Sequence, residues 1–212
     1  MKYVIMCGGS YNYWKVPRQL TEIKGEKLIE RTIRLLKENG VEDIVITSLD
    51  PRFDNFGVPR IEHNNNFVNE NGKRVKGYWL DAFLPSEEPI TYIFGDVYFS
   101  EDAIRTIVNT FTNDILFFAS RTVNRKDYFK KWQEPFAFKV VNQKKFRNCI
   151  NICKKEYEKG NCNREPIAWE LYRVINGYPI NRHIMKKGFI AIDDYTTDID
   201  YIGDIEQLEK II

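Results

Sequence analysis

The feature that most constrains this chain is its opening order of elements: a strand-like run, a loop, a helix-like run and a second strand. Tyr3-Val4-Ile5-Met6 is short, continuously apolar and closed by Gly8-Gly9, as expected of a parallel strand buried on both faces. The segment Glu26–Asn39 then sets Leu28, Ile29, Ile33 and Leu36 at helical spacing and stops at Gly40, a natural residue after a helix end. Asp43-Ile44-Val45-Ile46-Thr47 reads as the second strand. Two strands joined through a helix imply a right-handed βαβ unit, and so an α/β sheet that is mainly parallel.

The alternation continues. Ile90-Thr91-Tyr92-Ile93-Phe94 is the clearest central strand and ends at Gly95-Asp96. Ser100 is placed to cap a helix through Asn109 that buries Ala103, Ile104, Ile107 and Val108. Ile115–Ala119, Phe136–Val141 and Phe189–Ile192 read as strands, and Gln143–Lys159, Ile167–Val174 and Asp204–Ile211 as helices. Tyr78–Phe83 reads as a turn or two of helix, and Asn64 to Arg74 as a polar loop. With 212 residues and no repeat or low-complexity linker, one domain over 1–212 is expected.

Charge excludes some functions. Lys+Arg 32 against Asp+Glu 30 leaves a formal +2, which is no electrostatic footprint for nucleic acid or an anionic membrane. No apolar run approaches the roughly 20 residues of a membrane span, and the N-terminus does not read as a signal peptide, so a cytoplasmic location is expected. Cys7, Cys149, Cys153 and Cys162 form no compact metal-binding pair and have neither His63 nor His183 close in sequence. Free thiols in a reducing compartment are the expected state, with zinc the weaker reading. Neither histidine stands in a nucleophile motif.

In open α/β sheets ligands bind beyond the carboxyl ends of strands, and three unusual segments fall there. Cys7-Gly8-Gly9-Ser10 follows the first strand, where glycines let backbone N–H groups approach a phosphate chain; a plain tight turn is the alternative. Pro17-Arg18-Gln19-Leu20 sets a cation behind a proline, facing the same loop or, on the bland reading, solvent. Gly95-Asp96 puts a carboxylate at the end of the central strand, where a Mg2+ ligand belongs beside phosphates; an Asp after Gly is otherwise a turn residue.

In order and rough spacing, Met6-Cys7-Gly8-Gly9, Pro17-Arg18-Gln19-Leu20, Gly25-Glu26-Lys27-Leu28-Ile29-Glu30 and Gly95-Asp96 resemble the nucleotidyltransferases. The tail, Thr197-Asp198-Ile199-Asp200 through Asp204-Ile205-Glu206-Gln207-Leu208-Glu209, is similar to that family's closing segment. The resemblance implies a Rossmann-like GT-A fold and Mg2+-dependent transfer of NMP from an NTP to a phosphorylated small acceptor, with pyrophosphate released. CTP is slightly favoured for a chain of this length, and the acceptor would be a sugar phosphate or phospho-alcohol. Carried over by position, Cys7, Gly8, Gly9 and Ser10 begin the nucleotide loop. Arg18 stands where the family has a lysine after proline, and Asp96 is the first metal ligand. Asp198 and Asp200 are candidates for the second, since an i, i+2 pair in extended chain points one way.

Lys15 is the cation nearest the place of the family's loop arginine, which Tyr13 occupies, and Lys24 reads as solvent-facing beside a turn glycine. Gly77 sits where the family often starts a helix under the base. The nucleotide-binding part would span about 1–110 and the acceptor-binding part about 111–195, with Arg121, Lys139 and Arg164 as acceptor candidates. For these three a surface or core role competes. The family's chemistry needs positioning and charge neutralisation more than a catalytic histidine. Two other readings stand beside it: a GT-A glycosyltransferase using a nucleotide sugar, and a nucleotide-binding homologue without turnover. The sequence is compatible with an oligomer.

Overall fold

The structure, a computed structural model, describes residues 1–8, 14, 16–62, 79–121, 133–182 and 186–212. In order they form β1 (Lys2–Met6), β2 (Glu22–Ile23), β3 (Glu26–Lys27), α1 (Leu28–Glu38), β4 (Ile44–Thr47), β5 (Arg60–Ile61), β6 (Ile90–Phe94) and β7 (Val97–Tyr98). There follow α2 (Glu101–Asn109), β8 (Ile115–Ala119), β9 (Pro135–Val140), α3 (Gln143–Glu158), α4 (Ala168–Ile175), β10 (Phe189–Ala191), β11 (Thr197–Asp198) and α5 (Ile202–Leu208). Short 3-10 turns lie at Arg18–Leu20, Pro51–Phe53 and Trp79–Ala82. The expected loop between Asn64 and Arg74 falls outside the described residues. Among those residues no helix is long and apolar enough to cross a membrane.

Seven strands make one sheet in the order β10-β8-β9-β6-β1-β4-β5. β1 pairs parallel with β4 and β6, β4 with β5, and β8 with β10. Within this sheet β9 runs against both its neighbours, β6 and β8. The fold is therefore the expected α/β class with a mainly parallel, mixed sheet.

Alternation along β1 distributes the core. Side chains of successive strand residues point to opposite faces, so Tyr3, Ile5 and Cys7 pack with Ile29, Ile33 and Leu36 of α1 and Ile104 and Ile107 of α2. Val4 and Met6 face a second core under α3 and α4, rich in aromatic rings. There Phe117 and Phe138 stack with centroids 4.7 Å apart, and Phe83 meets Tyr92, Phe138 and Phe146 edge-on. The Ser100 hydroxyl accepts the Ala103 N–H at 2.9 Å, the cap expected for α2. Between β2 and β3 the chain reverses through Lys24 (φ 53°) and Gly25 (φ 82°), two left-handed residues in a row, as a tight hairpin turn requires. Lys24 is exposed there, its ammonium donating to the Ile212 carbonyl at 3.1 Å.

The direction of β9 corrects one expectation. Lys139 pairs with Thr91 near the start of β6, at the amino edge of the sheet and away from the ligand-binding strand ends. Its ammonium donates to the carbonyls of Val108 and Thr110 at 3.1 and 2.6 Å, satisfying acceptors left over at the end of α2. Burial pushes its pKa down.

Buried acids give this core a predictable pH response. Burial raises the thiol pKa values of Cys7, Cys149 and Cys153 above their ordinary 9.0. It likewise raises those of Tyr3, Tyr92 and Tyr98 above 10.0, and pushes Tyr172 to about 12. Above those ordinary values the unfolded chain releases protons that the folded chain keeps, so stability falls as pH rises. The depressed pKa of Lys139 acts the other way, but below its ordinary 10.5 it is one group against seven. The melting temperature, followed by circular dichroism under reducing conditions, is expected to be level near neutrality. It should drop by about 5 °C or more between about pH 8 and pH 10.

Candidate active site

The carboxyl ends of β1 and β6 lie side by side, with Met6 paired to Phe94. Gly95 continues β6 so closely against β1 that its N–H donates to the Met6 carbonyl at 3.0 Å. Asp96 follows. Its backbone carbonyl accepts the Ile199 N–H at 2.8 Å, and β7 pairs antiparallel with β11, setting Val97 opposite Asp198 and Tyr98 opposite Thr197. A ribbon of two short strands thus brings the closing segment of the chain to the end of the central strand.

Arg18, the first residue of the turn after Pro17, completes the group. One terminal nitrogen of its guanidinium lies 2.9 Å from Oδ2 of Asp96, and the other 2.6 Å from Oδ1 of Asp200. The second nitrogen also donates to the Ile199 carbonyl at 3.3 Å. The Arg18 and Asp96 side chains are each 25% exposed and Asp200 40%, so this ion-paired group opens to solvent. Asp200 is held from both sides: its carbonyl accepts the Trp14 indole N–H at 3.2 Å, and its own N–H donates to Asp204 at 2.8 Å. Asp204 also accepts the Tyr201 N–H at 2.9 Å, fixing the entry to α5.

Cys7 is buried beneath this group at the end of β1, its N–H bonded to the Thr47 carbonyl at 2.9 Å. Burial first, and then the charge of Asp96, hold its thiol well above the ordinary thiol pKa. A neutral, enclosed thiol is no nucleophile. Gly8 is exposed just beyond it, at the mouth of the site.

Of the sequence candidates, the structure brings Arg18, Asp96 and Asp200 into contact and sets Cys7 directly below. Asp198 is fixed in β11 with its Oδ1 buried, and the Arg18 guanidinium goes to Asp96 and Asp200. Gly9, Ser10, Lys15 and Gly77 lie outside the described residues. Arg121, just past β8, is at the same carboxyl edge and ion-pairs with Asp193 at 3.2 Å, both well exposed. Arg164 turns to Glu170 at 3.2 Å, and Glu170 also pairs at 3.0 Å with the fully buried Arg173. That ties Arg164 to the packing of α4.

Sequence reasoning missed Trp14 and Asp204, which hold the Asp200 backbone, and read Gly95 only as the residue before Asp96, not as the close approach to β1. Trp79, whose backbone N–H donates to Glu165 at 2.5 Å, packs on Phe94 with centroids 6.0 Å apart and adds an aromatic surface beside the end of β6.

Among the described residues no three of His, Cys, Asp and Glu converge to hold a metal ion unaided. Two carboxylates do converge, through Arg18. Mg2+ commonly takes one or two carboxylates and draws its other oxygens from phosphates and water. The donor set fits an ion that arrives with a polyphosphate.

No family model matches the chain, and no curated protein matches it. Solved structures do. The CTP:phosphocholine cytidylyltransferase of Streptococcus pneumoniae is similar over 99% of this chain and 98% of its own, with TM-score 0.56 and 18% identity. A Bacillus anthracis protein assigned as a glucose-1-phosphate thymidylyltransferase, solved with sucrose, covers 99% and 94%, with TM-score 0.63 and 17% identity. The inositol-1-phosphate CTP transferase of T. maritima covers 99% and 95%, with TM-score 0.58 and 16% identity. At these identities the likeness is one of fold, and end to end this chain has the fold of those nucleotide-transferring proteins.

Proposed function

We propose that this protein is a nucleotidyltransferase that moves NMP from an NTP, with CTP favoured, to the phosphate of a small sugar phosphate or phospho-alcohol. The observation that carries the reading is the meeting of Arg18, Asp96 and Asp200 at the carboxyl ends of β1 and β6. Three segments far apart in sequence converge there, in the fold of proteins that handle the same chemistry.

In the reaction an acceptor phosphate oxygen forms a bond to the α-phosphorus, and the bond from that phosphorus to the α–β bridging oxygen breaks. Pyrophosphate leaves with the electron pair. The acceptor is already an anion, so no residue has to remove a proton. Gly8 opens the loop where backbone N–H groups would line the triphosphate. Arg18 offers a planar fork suited to phosphate oxygens. Asp96 and Asp200 would hold Mg2+, which when bound would neutralise phosphate charge. Arg121 beyond β8 and the Trp79 ring beside the end of β6 would be available to the acceptor.

The test is pyrophosphate release from CTP, UTP, dTTP, GTP and ATP, each with Mg2+ and mixed phosphorylated acceptors, alongside a thermal-shift panel of the same nucleotides. A ligand at about 100 times its dissociation constant adds roughly 2.7 kcal/mol, or about 5–10 °C for a chain of this size. One nucleotide should shift the transition and yield pyrophosphate. With nucleotide sugars added to the panel, a shift with one of them and none with any triphosphate would transfer the assignment to glycosyl transfer.

A further inference from the structure

The Arg18 guanidinium bridges Asp96 and Asp200, the position that a divalent cation shared between the two acids would take. Its terminal nitrogens contact the two carboxylate oxygens at 2.9 and 2.6 Å, as donors. A Mg2+ ion bridging the two acids through these oxygens would need them at about 2.0–2.1 Å, so ion and guanidinium compete for them. We propose that Arg18 is a built-in counter-ion that a divalent cation must displace, so that the nucleotide-free protein binds the cation poorly and loads it together with the triphosphate. This rests on the reading of Asp96 and Asp200 as cation ligands.

The parts differ in how firmly they are held, and that decides which one moves. The backbone of Asp200 is fixed by the Trp14 indole and by Asp204. That of Asp96 is fixed by its bond to Ile199 and by the β7–β11 ribbon. The backbones that carry the two carboxylates are therefore held in place. Arg18 stands on a one-turn segment, and the long side chain ends in a partly open site.

An arginine cannot yield by losing its proton, as a lysine might under strong enough repulsion. It has to swing away, and it needs an anion to receive it. A polyphosphate bound beyond Gly8 would supply one, and its geometry suits a guanidinium fork. Cation and triphosphate then favour each other's binding through a single side chain, and that coupling is reciprocal. Between turnovers the same contact neutralises part of the carboxylate charge and keeps the two acids together.

The test measures binding of Mn2+ alone to the full chain, by the loss of the free-ion electron paramagnetic resonance signal, with no nucleotide and no turnover. Wild type, Arg18→Gln, Arg18→Lys and the double variant Arg18→Gln/Asp200→Asn are compared, each checked for folding by circular dichroism. Arg18→Gln should bind Mn2+ about tenfold or more tightly than wild type, the scale on which a neighbouring unit charge shifts an ionic equilibrium. Arg18→Lys should fall between them, and the double variant should lose the gain. Equal measurable affinity in wild type and Arg18→Gln would overturn the counter-ion role and leave the ligand assignment standing. If neither wild type nor the folded Arg18 variants bind Mn2+ at millimolar concentration, the ligand assignment itself fails, and this inference with it.

Discussion

Asp96→Asn should lower pyrophosphate release by about 10²–10³-fold while leaving the melting temperature within a few degrees of wild type. That is the scale of loss when one preorganised electrostatic contact to developing charge is removed. The substitution keeps the shape of the side chain and the backbone carbonyl that receives Ile199. What it removes is half of the charge pair that meets Arg18. Asp200→Asn should behave alike, because its carboxylate lies on the other nitrogen of the same guanidinium. Asp198→Asn should cost less, since Arg18 does not reach that side chain. Steady-state rates for the three variants, at saturating nucleotide and varied Mg2+, separate the two acids at the site from the one in the ribbon. A rate for Asp96→Asn within threefold of wild type would remove Asp96 from the chemistry.

The strands and helices were legible where the apolar period was strong. Tyr3–Met6, Ile90–Phe94 and the α1 and α2 helices stand within two residues of where their patterns put them. Strand direction was not. Pro135–Val140 is buried on both faces, and such a run carries no mark of which way it points. That is why Lys139 read as a residue near the ligand edge. Near the end of a parallel strand it would have been one, but in β9 the end points to the amino edge and the lysine closes α2.

The site divides the same way. Arg18 and Asp96 were readable because a proline and a glycine mark their positions along the chain, and Asp200 through the resemblance of the closing segment to the nucleotidyltransferases. The device that gathers them was not. β7 and β11 have two residues each, too few to show a period, and the ribbon exists because Asp96 and Ile199 meet through their backbones. Trp14 was visible as an aromatic residue in the loop, but nothing local says that its indole will hold a carbonyl 186 positions away.

Gly95→Ala should damage the protein out of proportion to the one carbon it adds. A Cβ at Gly95 would lie 2.7 Å from the Cys7 sulfur, 2.7 Å from the Met6 carbonyl oxygen and 3.1 Å from Cγ of Gln19. The carbonyl belongs to β1, which is hydrogen-bonded on both sides at the centre of the sheet, and the sulfur is buried. Neither can step aside without moving the strand. Overpacking of this kind costs about 1–3 kcal/mol, or roughly 2–12 °C of melting temperature for a chain of this length. Because Asp96 is the next residue, any outward shift of Gly95 also carries the carboxylate away from Arg18, so turnover at temperatures well below melting should fall further than stability does. Gly203→Ala is the matched control. It lies within α5 with no atom within 4 Å of the added carbon, and alanine there should be neutral or stabilising by up to about 1 kcal/mol. Thermal melts of the two variants side by side decide the matter. If Gly95→Ala melts with wild type, β1 and β6 are not as tightly joined at their ends as the contacts require. The glycine would then be a turn residue and nothing more. If it melts early and turns over slowly while Gly203→Ala does neither, that close approach is what holds Asp96 in register with Arg18.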